Sequence, residues 1–209
     1  MAEPRTQEQR SASTKEKVIN AAIGCIYEEG LSSTTVARIA TRSGVTWGAI
    51  AHHFGDKDSI LFAVLERNAE IFYKRVDKSL ARAGPSLREH VSALIDVTWI
   101  YLNEPGGFSF IELVIHNRAS TNEKILAQQE NLSITQMENV WNKVFGEFNI
   151  SATTLRIARD LAMSSLMGLA VQRLIRRRKA AFKEEIAALK MCTAQMLEAN
   201  GKNPPLILV

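Results

Sequence analysis

Residues 34–54 read TTVARIATRSGVTWGAIAHHF. Two short stretches compatible with helix are joined by Ser43-Gly44-Val45, with glycine where a tight turn most needs positive φ. Ala40 is small where two helices must approach closely, and Ile39, Val45 and Ile50 are spaced to share a core. That register predicts a second helix exposing Thr46, Trp47, Gly48, Ala49, His52 and His53. A mixture of small, aromatic and hydrogen-bonding side chains suits a helix entering a major groove. Gly48 and Ala49 permit close approach, and Ala49 or Trp47 can meet thymine methyls. Thr46 and the two histidines can reach phosphates or base edges. Blander readings stand beside this one. Glycine-punctuated helix pairs occur in ordinary helical domains, Trp47 can be a core tryptophan, and Phe54 reads as packing. Adjacent histidines face apart on a helix, and no carboxylate or cysteine completes a ligand set, so a metal pair is disfavoured.

Outward from this stretch the pattern stays helical. Val18, Ala21, Ala22, Cys25 and Ile26 recur at helical spacing until Gly30 stops the helix. Thr34 or Thr35 caps the next, and Asp56 caps a long fourth helix through Ile60, Leu61, Val64, Leu65, Phe72 and Val76. Lys57, beside that N-terminus, adds charge to a ready-made phosphate site. Pro85 opens a fifth helix, and Glu104-Pro105-Gly106-Gly107 breaks the chain before a short one from about Phe108 to Asn117. One longer helix is expected over about 121–148, another from a Ser151 cap to the basic run Arg176–Lys179, and a last one carrying Phe182, Ile186, Leu189 and Thr193. The expectation is all-α, about nine helices, with no internal repeat.

The span Val18–Leu65, with AAIGCIYEEG, TTVARIA, SGVTWGAI, HHF and GDKDSIL, resembles the DNA-binding domain of TetR-family transcriptional regulators. The resemblance covers about the first quarter of the chain, and it implies a helix-turn-helix head, a divergent helical body, a homodimer and a small-molecule inducer. It also implies that Thr35 and Lys57 grip phosphates while Thr46, Trp47, Gly48, Ala49, His52 and His53 form the recognition helix. The family most often has tyrosine where this chain has Ala51, so that phosphate grip is missing here or taken over by His52. The expected divisions are a polar arm over 1–13, the head over 14–57, a ligand-binding and dimerisation body over 58–200, and a tail over 201–209.

Body residues extend the expectation. Small residues Ala158, Ala162, Ser165 and Gly168 alternate with leucines, and with the last helix they offer two apolar stripes for a four-helix dimer interface. Phe72, Leu94, Thr98, Trp99, Phe108, Phe110, Leu113, Met137, Trp141 and Met167 predict a mostly apolar ligand cavity, although such stripes are also ordinary core. Asp96, Thr98, Glu112, His116 and Arg118 are polar groups able to orient a ligand, and no cofactor is implied. An apolar or amphipathic inducer follows.

Charge and composition bound the alternatives. The chain has 209 residues and a formal net charge of +4, a weak pointer to nucleic acid. Residues 1–57 hold seven basic and six acidic side chains, so the head carries only +1. The Arg176–Lys179 run reads as a helix C-terminus matched to its dipole, or as a nucleic-acid or phosphate contact. The most apolar run, Leu161–Val171, is short and holds Ser164, Ser165 and Gly168, so no membrane span is expected. The polar first twenty residues and only two cysteines, Cys25 and Cys192, fit a reducing cytoplasm. An all-helical enzyme lacks a nucleophile with a partner base, and a non-inducible architectural DNA binder remains the nearer competitor.

Overall fold

The computed structural model describes residues 6–118, 120, 122–175 and 182–200. Among them are ten α-helices and no strand: α1 (Gln7–Glu29), α2 (Val36–Ser43), α3 (Trp47–Phe54), α4 (Lys57–Leu80), α5 (Leu87–Leu102), α6 (Pro105–Asn117), α7 (Glu123–Glu130), α8 (Gln136–Phe145), α9 (Ala152–Ile175) and α10 (Lys183–Ala199). The single helix expected over 121–148 is α7 and α8 joined through a π turn at Asn131–Thr135, which accounts for the tenth helix. The basic run Arg176–Lys179, the first five residues and the tail from 201 lie outside the described residues.

Two boundaries differ from expectation for identifiable reasons. The polar arm predicted over 1–13 is helical from Gln7: the Thr6 side chain accepts from the Gln9 N–H at 3.2 Å while the Gln9 side chain accepts from the Thr6 N–H at 3.0 Å. This reciprocal cap, on a helix already nucleated by its buried half, offsets the weak apolar content of residues 7–17. Pro105-Gly106-Gly107, read as a break, is the first turn of α6, with proline at the start where its fixed φ suits a helix and its missing N–H costs nothing. Likewise α5 is capped by Ser86 in a box with Glu89, with Pro85 one residue outside.

The chain divides into two compact units. The first takes residues up to Glu70 together with Glu104–Gln129, and so holds α1–α3, the start of α4, α6 and nearly all of α7. This contact division differs from a head ending at 57, because α6 packs on α1. Its core is Val18, Ala22, Cys25 and Ile26 of α1 with Ile39, Ile50, Ile60, Val64 and Leu113, all buried. Cys25 is an inert buried thiol whose pKa is pushed up by burial.

The second unit comprises Ile71–Asn103 and the described residues from Glu130 onward. Within it α5 packs on α8, α9 and α10. Val91, Leu94, Ile95, Trp141, Phe145, Leu155, Ala162, Leu166, Ile186 and Leu197 fill its interior. Arg88 grips Glu198 with two 2.7 Å bonds, and Lys190 reaches Asp96 at 2.6 Å.

Candidate nucleic-acid interface

Local signals place α2 and α3. Thr35 caps α2 by accepting from the Arg38 N–H at 3.2 Å, and Thr46 caps α3 by accepting from the Ala49 N–H at 3.3 Å. Between them Gly44 closes α2 in the left-handed region at φ 66°, ψ 19°, its N–H returned to the Ala40 carbonyl at 3.0 Å. Ser43 tightens the corner, its hydroxyl donating to the Ala40 carbonyl and accepting from the Val45 N–H.

Each helix is pinned by a single fully buried residue, Ile39 in α2 and Ile50 in α3. Everything else on α3 is at least partly open. Trp47 is 65 % exposed, which removes the core-tryptophan reading. A Cβ added at Gly48 would meet nothing within 4 Å, and His52 is exposed with its ring 5.3 Å from that of half-buried His53. Ala49 and Ala51 are half-buried. Thr46, Trp47, Gly48 and His52 thus share a free, uncluttered surface. The face can accept a groove-shaped partner without losing any internal contact.

The flanking charges are arranged less simply than the sequence suggested. Arg42 makes two 2.6 Å bonds to Glu28, and Arg38 lies 2.7 Å from Glu29. The Arg42 guanidinium lies so close over α1 that a Cβ at Gly24 would stand 2.6 Å from it. Arg42 holds the Glu28 carboxyl below the usual range, while the carboxylate pushes the arginine further up. At the head of α4, the Asp56 carboxylate accepts from the Ser59 N–H at 2.8 Å, which lowers its pKa. Lys57 is the next residue, half-buried. The Arg–Glu pairings escaped the sequence reading; the acidic pair Glu28-Glu29 ending α1 was the available signal.

The candidate ligand residues fall in both units. Phe72, Leu94, Thr98, Trp99, Met137, Trp141 and Met167 belong to the second, whereas Phe108, Phe110, Leu113 and His116 belong to the first. Several of the polar groups are engaged elsewhere: the buried Thr98 hydroxyl donates to the Leu94 carbonyl at 2.7 Å, Asp96 holds Lys190, and Glu112 accepts from the Leu31 N–H at 2.8 Å. His116 is exposed. Trp141 is the exception, since its indole Nε1 is buried with no hydrogen-bond partner. The stripes on α9 and α10 divide as well. Leu155, Ala162 and Leu166 turn inward, while Leu161, Ser165, Gly168, Leu189, Cys192 and Met196 line an open groove of ≈ 650 Å³. Among the described residues no three His, Cys, Asp or Glu side chains gather as a metal-ligand set, and no helix is long and apolar enough to cross a membrane.

A capped pair of eight-residue helices around a left-handed glycine, with one face pinned and the other open, defines a helix-turn-helix protein. The family profile of bacterial regulatory proteins, tetR family, matches residues 18–64. The HTH-type transcriptional regulator BetI of Stenotrophomonas maltophilia is 35% identical over 82 residues, 39% of this chain and 42% of that protein. The chain therefore matches about two fifths of that relative's length. The HTH-type transcriptional regulator CymR of Pseudomonas putida is 27% identical over 178 residues, 85% of this chain and 88% of CymR. In fold, the transcriptional regulator FadR of Bacillus subtilis, solved in complex with stearoyl-CoA, superposes with a TM-score of 0.66 at 17% identity, over 87% of this chain and 96% of that one. Over residues 18–64 the chain thus matches the TetR family of transcriptional regulators, and over most of its length it shares their all-helical fold.

Proposed function

We propose that the protein is a ligand-responsive repressor that binds an inverted-repeat DNA operator as a dimer in the reducing cytoplasm. The observation that carries this reading is the open face of α3, where Thr46, Trp47, Gly48 and His52 stand free while Ile50 anchors the helix from behind. With Ala49 and His53 beside them, these residues read the major groove, and Thr35 and Lys57 grip the flanking phosphates. Two heads on one dimer set half-sites about one turn, ~34–36 Å, or a multiple of it apart. Supporting the dimer is the apolar groove on α9 and α10, where Leu161 is 52 % exposed, a burial a monomer leaves incomplete.

The inducer is apolar or amphipathic. Phe72, Leu94, Thr98, Trp99, Met137, Trp141 and Met167 receive it in the second unit. The unpartnered, buried indole N–H of Trp141 supports a ligand that brings a hydrogen-bond acceptor into apolar surroundings, since leaving that donor unmet costs about 1–3 kcal/mol. FadR, with its bound stearoyl-CoA, shows an acyl ligand in a protein of this fold. Such a ligand releases DNA only by binding more tightly to the conformation of lower operator affinity.

Selection of genomic fragments by the full-length protein tests the reading. It should recover fragments sharing an inverted repeat, bound with an affinity that falls as salt rises. Recovery of fragments with no common motif would favour an architectural DNA binder instead.

A further inference from the structure

The third-residue spacing Gly106, Ser109, Glu112 lays one face of α6 against the rest of the first unit. The Gly106 carbonyl accepts from Asn68 Nδ2 at 2.9 Å, and a Cβ at Gly106 would come within 2.8 Å of Asn68 Oδ1. The Ser109 hydroxyl donates to the Pro105 carbonyl at 2.8 Å and lies 3.4 Å from the Ile23 carbonyl. The Phe108 ring meets Tyr27 edge-on at 5.6 Å. At the far end of this face Glu112 Oε2 accepts from the Leu31 backbone N–H at 2.8 Å.

That last bond reaches the chain at a sensitive place. Leu31 opens the 3-10 turn Leu31–Ser33, so its N–H has no partner of its own inside the turn. The turn closes through the Thr34 N–H to the Leu31 carbonyl at 3.2 Å, and the fully buried Thr34 hydroxyl ties back to the Gly30 carbonyl at 2.9 Å. The next residue is Thr35, the cap of α2. From Glu112 to Thr35 the connection is therefore one short corner held by these three hydrogen bonds. An eight-residue helix does not hold its own direction, so the corner aims the start of α2.

We infer that Glu112 is a positioning residue for DNA binding, fixing the 30–35 corner and through it the place of the Thr35 hydroxyl and the α2 N-terminus against a phosphate. This rests on the DNA-binding reading above and gives Glu112 a role the sequence did not suggest, where it stood among ligand-orienting groups. A carboxylate is suited to it, because a charge-assisted bond to a backbone N–H is stronger than a neutral one.

The test uses the full-length protein and a fluorescent duplex selected by the wild type from a random-sequence library. Glu112→Met keeps the length and removes the acceptor; Glu112→Gln keeps an acceptor at the same reach. Glu112→Met should weaken duplex binding about tenfold, and Glu112→Gln should stay within about threefold of wild type. Combined with Thr35→Val, Glu112→Met should lose less than the product of the two single losses, since both act on one contact. Glu112→Ala replaces the methionine variant if thermal melting shows the latter unfolded. Wild-type affinity in Glu112→Met, a glutamine variant as weak as the methionine one, or full multiplicativity with Thr35→Val would each overturn the inference. Failure of the wild type to select any duplex would overturn the DNA-binding reading, and this inference with it.

Discussion

The α2–α3 pair and the α9–α10 pair hold their places by opposite means. α2 and α3 have eight residues each and bury one apiece, Ile39 and Ile50, whereas α9 and α10 run for 24 and 17 residues and bury whole stripes. Helices of two turns are unstable alone, so the position of α3 is a property of its neighbours: the Gly44 corner, α1 and the α4 cap. The outward faces differ in kind as well. On α3 one aromatic stands among small and polar residues, a surface that gains little from covering itself. On α9 and α10 Leu161, Leu169, Leu189 and Met196 line an open groove beside Gly168, a largely apolar surface that does gain from being covered. Under the proposed function the first pair is read against a polar polymer and the second is closed by a copy of the chain.

The largest effect that can break this contrast is at Leu161. Leu161→Glu would place an unpaired charge in the centre of the proposed interface, a cost of several kcal/mol. Light scattering after size exclusion should then show a monomer at micromolar concentration. Operator affinity should fall by about a hundredfold or more, because the second head is no longer bound in tandem with the first. A variant that remains dimeric would mean that the groove serves something else.

Within α3 the contrast can be drawn between residues three apart. Ile50→Ala should lower unfolding free energy by about 2–4 kcal/mol in urea titrations, as for other deeply buried aliphatics. Trp47→Ala should change stability by less than about 0.5 kcal/mol yet weaken operator binding about ten- to a hundredfold. Equal losses of stability at both positions would erase the distinction between the pinned and the reading face. A smaller effect is expected at Lys57: Lys57→Met should weaken binding to every duplex alike and reduce the salt slope by about one per head. A slope unchanged from wild type would remove Lys57 from the phosphate contacts.

What was legible in the sequence follows the reach of each signal. The caps Thr35, Asp56 and Ser151 and the corner at Gly44 act across two to four residues, and each stands where local chemistry requires it. The buried pair Ile39 and Ile50 follows from helical period. Contacts that join distant segments carry no such mark. Glu112 reaches Leu31 across 81 positions and Asn68 reaches Gly106 across 38, so a carboxylate on a half-buried face looked free when it was engaged. The same limit explains α6, where two glycines after a proline read as a break because nothing local reveals Asn68 packed against Gly106. Residues 7–13 depart from expectation for a different reason: polarity argues against a helix that must find its own core, not against one continued from a buried half.

The finest distinction concerns the two ways the first unit handles its carboxylates, by arginine at Glu28 and by backbone at Asp56. Asp56 accepts from the Ser59 N–H at 2.8 Å, so its pKa in the folded chain lies below its unfolded value of about 3.9. The stabilisation is therefore complete above about pH 4 and is lost as pH falls through the lowered folded value. Asp56→Ala should cost about 1 kcal/mol at neutral pH, the usual worth of an N-cap, while Asp56→Asn should cost only a few tenths because asparagine also accepts that bond. In Asp56→Asn the acid limb of the stability curve should flatten slightly below about pH 4, measured by urea unfolding at each pH. An acid limb identical to wild type would show that the cap is held equally well by a protonated carboxyl, and that the charge on Asp56 contributes nothing to where α4 begins.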